Sequence, residues 1–101
     1  MGINLKTITS CLGYQQITSI SSSTALTVPT VDANGSYQKP VLAVIIAETQ
    51  AVRWRDDGVA PSATVGMPLA TGVTFVYDGD LSKIRFFEQT GGAKLNVTYY
   101  A

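Results

Sequence analysis

The second half of the chain alternates apolar and polar residues with the two-residue period of a half-buried strand. Val73, Phe75 and Tyr77 alternate with Thr74 and Val76, and Ile84 and Phe86 with Lys83, Arg85 and Phe87. The intervening Asp78-Gly79-Asp80-Leu81-Ser82 is a turn cluster, so these two strands are expected to form an antiparallel hairpin. Gly91-Gly92 breaks the pattern, after which Leu95, Val97 and Tyr99 alternate with Lys94, Asn96 and Thr98. A second hairpin and a compact three-stranded meander are therefore predicted.

Upstream, Val41 to Ala47 is a continuous apolar run rich in β-branched residues, which predicts a strand buried on both faces, with a short helix as the alternative. Val52-Arg53-Trp54-Arg55 alternates again before the turn signal Asp56-Asp57-Gly58. Pro61 and Pro68, with Gly66 and Gly72, restrict Val59 to Leu69 to an ordered loop with short β pieces. Before residue 40 the pattern is weaker: Ile3, Leu5 and Thr7 alternate, as do Leu26 and Val28, whereas Ile17 and Ile20 do not. Ser21-Ser22-Ser23 and Asp32-Ala33-Asn34-Gly35-Ser36 read as polar turns. No capped helical stripe is present. The expected fold is all-β, a small antiparallel β-sandwich or jelly-roll-like barrel of about 6–8 strands. It forms one domain over residues 1–101, with residues 1–12 as a candidate docking arm that orders on binding.

Composition points toward surfaces that pack. Hydrophobic residues make up 46 % and charged residues only 14 % of the 101, with Ser and Thr filling much of the difference. Seven basic residues balance seven acidic ones, so no net field steers the chain to nucleic acid or an anionic membrane. The longest apolar run is far too short to span a bilayer as a helix. The first residues lack the basic and apolar regions of a secretory signal, and cytoplasmic synthesis is the expectation.

Candidate chemistry is sparse. The chain contains no histidine, which removes the commonest general base and the Ser-His and Cys-His nucleophile pairs. Glu48, Asp56, Asp57, Asp78, Asp80 and Glu88 could supply a carboxylate pair, but four of these six lie in Gly-containing turns, where Asp bonds its own backbone. The Asp56-Asp57 and Asp78/Asp80 turns could share a calcium ion only if they met, and they offer few of the oxygens calcium needs. No catalytic residue, metal site or cofactor is assigned, and the chain is read as a non-enzyme. Cys11, the only cysteine, is expected to be a small buried apolar residue. Trp54, Tyr77, Tyr99 and Tyr100 could form a sugar-binding platform, but alternation places Trp54 opposite Arg53 and Arg55 and hence inward. Consecutive Tyr99 and Tyr100 face opposite ways, leaving at least one for a partner. Arg53, Arg55, Tyr99 and Tyr100 are the candidate partner-binding residues.

The stretch from Ala51-Val52-Arg53-Trp54-Arg55-Asp56-Asp57-Gly58 through Val65-Gly66-Met67-Pro68-Leu69 resembles a segment of small virion proteins of tailed bacteriophages. Tyr77-Asp78-Gly79-Asp80-Leu81-Ser82-Lys83-Ile84-Arg85-Phe86 and Ala93-Lys94-Leu95-Asn96-Val97-Thr98-Tyr99-Tyr100 resemble the closing segments of the same proteins. The likeness covers residues 51–100. It implies a non-enzymatic virion component in many copies, first of all a capsid decoration or cement protein. Such a protein would assemble as a homo-oligomer, with a trimer expected at local threefold positions, and would bridge subunits of the major capsid protein. A neck, tail or fibre-base component and a glycan-binding adhesion module are the alternatives.

Overall fold

The computed structural model describes residues 10–30 and 39–101. Among them there is no helix, and eight strands run in chain order: β1 (Cys11–Ile17), β2 (Thr24–Ala25), β3 (Leu42–Glu48), β4 (Val52–Arg55), β5 (Met67–Leu69), β6 (Phe75–Tyr77), β7 (Arg85–Glu88) and β8 (Lys94–Tyr100). They form two four-stranded sheets, ordered β1-β8-β3-β6 and β2-β7-β4-β5. The expected Ile3 to Thr7 strand, the first nine residues of the expected arm and the Asp32 to Ser36 turn lie outside the described residues. Ser10 to Leu12 belong to the sheet: Ser10 and Ala101 exchange backbone hydrogen bonds of 3.0 Å, and Leu12 is buried.

All named strand pairs are antiparallel, and β1 pairs with β8, β2 with β7, β3 with β6 and β4 with β5. A chain folded back on itself in this nested order and wrapped into two sheets is a jelly roll. The topology corrects the expected meander. β6 and β8 lie in the first sheet and β7 in the second, so neither the 78–82 turn nor Gly91-Gly92 closes a hairpin. Both segments carry the chain across the sandwich. Asp-Gly turn chemistry marks a reversal of direction, but only the burial of both neighbouring strands decides which sheet the next one joins.

The core is built by strict alternation. Ala43, Ile45 and Ala47 of β3 and Leu95, Val97 and Tyr99 of β8 face inward onto Val52, Leu69 and Phe86 of the second sheet, all buried. Ile20 and Ile84, from connections, are fully buried with them. Burying a side chain of this size contributes roughly 1.5–3 kcal/mol, so the inner faces supply the main stabilisation. The β3 run expected to be buried on both faces is buried on one: Leu42, Val44 and Ile46 remain half-buried on the outside, and Val41 is exposed.

Cys11 is exposed, contrary to expectation. The cause is a β-bulge. Cys11 pairs with Tyr100 and Gly13 with Tyr99, leaving Leu12 as the extra residue. The shift in phase turns Leu12 into the core and Cys11 outward. At the far end of β3, Thr49 adopts a left-handed backbone (φ 70°), unusual for a β-branched residue. Its hydroxyl donates to the Gly92 carbonyl at 2.6 Å, tying the β3–β4 and β7–β8 connections together.

Candidate interaction surface

At one open side of the sandwich, between edge strands β5 and β6, an aromatic cluster fills the gap between the sheets. Trp54 of β4 stacks on Phe75 of β6, with centroids 5.0 Å apart and planes at 21°. Tyr77 completes the group at 6.0 Å from Trp54 and 5.9 Å from Phe75. Trp54 thus faces inward, as its alternation with two arginines requires, but it is half-buried at the mouth of the core.

The Tyr77 hydroxyl joins two turns. It donates to Asp56 Oδ2 at 2.8 Å and lies 3.4 Å from the Asp80 carbonyl oxygen. Burial, reinforced by the bond to Asp56, pushes this phenol up to about 12. The two aspartate turns therefore do meet, but around a tyrosine. No group of three His, Cys, Asp or Glu side chains placed to hold a metal occurs among the described residues.

The remaining carboxylates are largely committed locally. Asp57 accepts from Arg55 Nε at 3.0 Å and from the Val59 amide at 3.3 Å. The Arg55 bond holds the Asp57 carboxyl below its ordinary range and raises the guanidinium. Asp80 accepts from the Ser82 amide at 2.9 Å and from its hydroxyl, which lowers its carboxyl. Glu88 Oε1 accepts from the Gly92 and Ala93 amides, each at 3.2 Å. Glu48 Oε1 accepts from Asn96 Nδ2 at 2.9 Å. These are turn and strand fasteners, as the preference of Asp for local backbone bonds anticipates.

Arg53 has a structural duty as well. Its Nε donates to the Ala63 carbonyl at 3.2 Å and its Nη1 to the Gly66 carbonyl at 2.9 Å, drawing the 56–66 loop against β4. Ser62 and Val65 close the loop with a 2.9 Å backbone bond, and Pro61 is buried beneath it. The approach is close enough to need glycine at position 66: φ is 136°, and a Cβ there would lie 3.1 Å from both Arg53 Cβ and the Trp54 carbonyl oxygen. The braced loop leaves Val59, Val65 and Met67 exposed. Trp54, Arg55, Asp56, Val65, Gly66 and Met67 line an open recess of about 410 Å³. Apolar side chains beside a Trp and an Arg are the composition of interface centres.

A second surface is the outer face of the first sheet. Alternation turns Leu42, Val44 and Ile46 of β3, Val76 of β6, Tyr14 of β1 and Tyr100 of β8 outward. Tyr14 and Val76 are 63 % and 57 % exposed, so this face is open. Its polar positions are bonded within the sheet: Tyr14 donates to Asn96 Oδ1, and Gln16 Nε2 donates to the same oxygen at 3.0 Å.

The four candidate partner residues fall in different places. Arg53 braces the loop, Arg55 pairs with Asp57 at the recess, and Tyr100 lies half-buried on the outer sheet face. Tyr99 is a correction. It is 1 % exposed, its hydroxyl donates to Gln15 Oε1 at 2.6 Å, and burial pushes it up to about 12. Because it shares the inner phase of Leu95 and Val97, it packs in the core and has no surface for a partner. The four-ring sugar platform is not assembled, since Tyr99 and Tyr100 lie apart from the Trp54 cluster. Sequence reasoning missed Val65 and Met67; the signal for them was an apolar pair flanking Gly66 in a Pro-bounded segment. Comparison with protein-family profiles, with curated proteins and with solved structures finds no match.

Proposed function

We propose that this protein is a non-enzymatic virion structural component, a capsid decoration or cement protein that binds the shell of the major capsid protein and stabilises it. The observation that carries the reading is the braced 56–66 loop, which holds Val65 exposed, together with Met67 of β5, beside Trp54 on the sandwich. A surface prepared in this way loses little conformational entropy on docking. Two further features support it: the sequence likeness of residues 51–100 to virion proteins, and a jelly-roll strand order, an arrangement that recurs in viral capsid domains. The second is analogy of fold. The low density of charged residues, 14 %, fits repeated packing against a shell, and a contact of about 800 Å² per partner, repeated over many sites, adds up to strong reinforcement.

The test is cosedimentation of the purified chain with expanded heads from a phage lacking its gene. The wild type is expected to bind in hundreds of copies, Met67→Lys to lose binding, and Arg53→Ala to weaken it by freeing the loop. Absence of binding overturns the reading. Three, six or twelve copies confined to the portal end would assign the protein to the neck or tail instead. A glycan array with hits abolished by Trp54→Ala would favour the adhesion module.

A further inference from the structure

The outer face of the first sheet carries its own instruction about what covers it. Registers place its outward residues in rows: Tyr100 beside Leu42, Thr98 beside Val44, Asn96 beside Ile46 and Lys94 beside Glu48. Tyr14 and Val76 extend the second row to the two edges. Every outward position is uncharged except Lys94 and Glu48, which stand together at one end on the two central strands. The one ion pair among the described residues is Arg55 with Asp57, so Lys94 and Glu48 are not bridged to each other.

We infer that this face is a dimer interface with a second copy of the chain, related by a twofold axis that runs along the strands between β8 and β3. That axis lays β8 of each copy over β3 of the other. Lys94 then meets Glu48 of the second copy at two symmetric positions, while Tyr100 covers Leu42, Thr98 covers Val44 and Tyr14 covers Val76. Other twofold arrangements fail on charge. An axis over β8 sets Lys94 against Lys94, and an axis across the strands sets both charges on the apolar Tyr100 and Leu42 row, where they lose water without finding a partner. Sheets stacked in this way pack aligned at about −30° and roughly 10 Å apart, the geometry of an ordinary β-sandwich layer.

Size sets the strength. Three seven-residue strands and the three-residue β6, about 4.8 Å apart, present roughly 380 Å² of flat area per copy. The pair buries about 760 Å², below the range of stable specific interfaces, which predicts a weak dimer that forms with rising concentration rather than an obligate one. A twofold contact replaces the trimer expected from shell symmetry as the basic assembly. Self-association of this kind does not require the shell as partner, so its failure leaves the binding experiment above unaffected.

Sedimentation of the full chain over a concentration series tests it. The wild type is expected to pass from monomer to dimer, and Val44→Lys to remain monomeric with its circular dichroism unchanged. Glu48→Lys and Lys94→Glu should each weaken association about tenfold, since each variant abolishes both Lys94–Glu48 pairs and sets like charges face to face in their place. The double exchange, Glu48→Lys with Lys94→Glu, should restore it, and this recovery decides the matter if Val44→Lys fails to fold. A wild type that stays monomeric, a trimer indifferent to Val44→Lys, or a double exchange no tighter than the single variants overturns the inference.

Discussion

Replacing Gly79 by alanine adds one methyl group to a turn that has no room for it. A Cβ at this position would lie 2.4 Å from the Tyr77 hydroxyl oxygen and 2.6 and 2.9 Å from two ring carbons. The ring cannot swing away freely, because Asp56 holds its hydroxyl and Trp54 and Phe75 flank it. Overpacking of this kind costs about 1–3 kcal/mol, against which the alanine restricts the unfolded chain and returns about 0.4–1 kcal/mol. The net expectation is a loss of about 1–2 kcal/mol, or roughly 5–15 °C in Tm for a domain of this size. Gly91→Ala is the matched control. Its added carbon would meet only Glu88 Oε2 at 3.8 Å, and its backbone is not left-handed, so it should be neutral or stabilising by up to about 1 kcal/mol. Urea unfolding followed by Trp54 fluorescence measures both variants, and the emission of folded Gly79→Ala should itself shift as the neighbouring ring moves. Coincident unfolding midpoints for the two variants would refute the argument.

Two further expectations follow from the buried phenols and the bulge. Tyr77 and Tyr99 are both raised to about 12 when folded, against about 10 in an unfolded chain, so the folded state holds the protons more tightly. Their contribution to stability is intact below about pH 10 and is lost as pH rises toward about 12. A phenolate absorbance titration should show two tyrosines ionising only as the circular dichroism collapses, and ionisation of every tyrosine near pH 10 in the folded protein would contradict it. Cys11, exposed by the bulge, should react with an aromatic disulfide reagent to completion in the folded monomer, at a rate that denaturant raises only slightly. A thiol that reacts only after unfolding would place it back in the core.

Much of the fold was legible because burial imposes a period that the chain cannot hide. The inward residues of β4, β6, β7 and β8 follow the alternation, and Trp54 takes the face that Arg53 and Arg55 leave to it. Strand partners were not legible. Asp78-Gly79-Asp80 reverses the chain as its residues demand, but whether the next strand joins the same sheet depends on contacts far away in sequence. Cys11 was not legible either, because nothing in the sequence marks Leu12 as the extra residue of a bulge that turns Cys11 outward. Of the interaction surface, the sequence offered Arg53 and Arg55 as contacts by type. It could not show that one spends its hydrogen bonds on the Ala63 and Gly66 carbonyls, because that depends on how the loop returns to β4. The unbroken apolar run of β3 predicted burial on both faces, but the structure buries only one, because Leu42, Val44 and Ile46 face out of the sandwich.

The position of β8 has a consequence for how the molecule comes into being. This strand lies between β1 and β3 and hydrogen-bonds to both, yet it is synthesised after every other strand described. Until it emerges from the ribosome, two long strands wait with unsatisfied edges, and their pairing spans most of the chain. Such a topology folds slowly, on the scale of milliseconds to seconds, and only once β8 has left the ribosome. A nascent chain stalled before residue 94 would therefore be a sticky, sheet-seeking species, and its fate in a crowded cell would depend on chaperones holding it until β8 arrives.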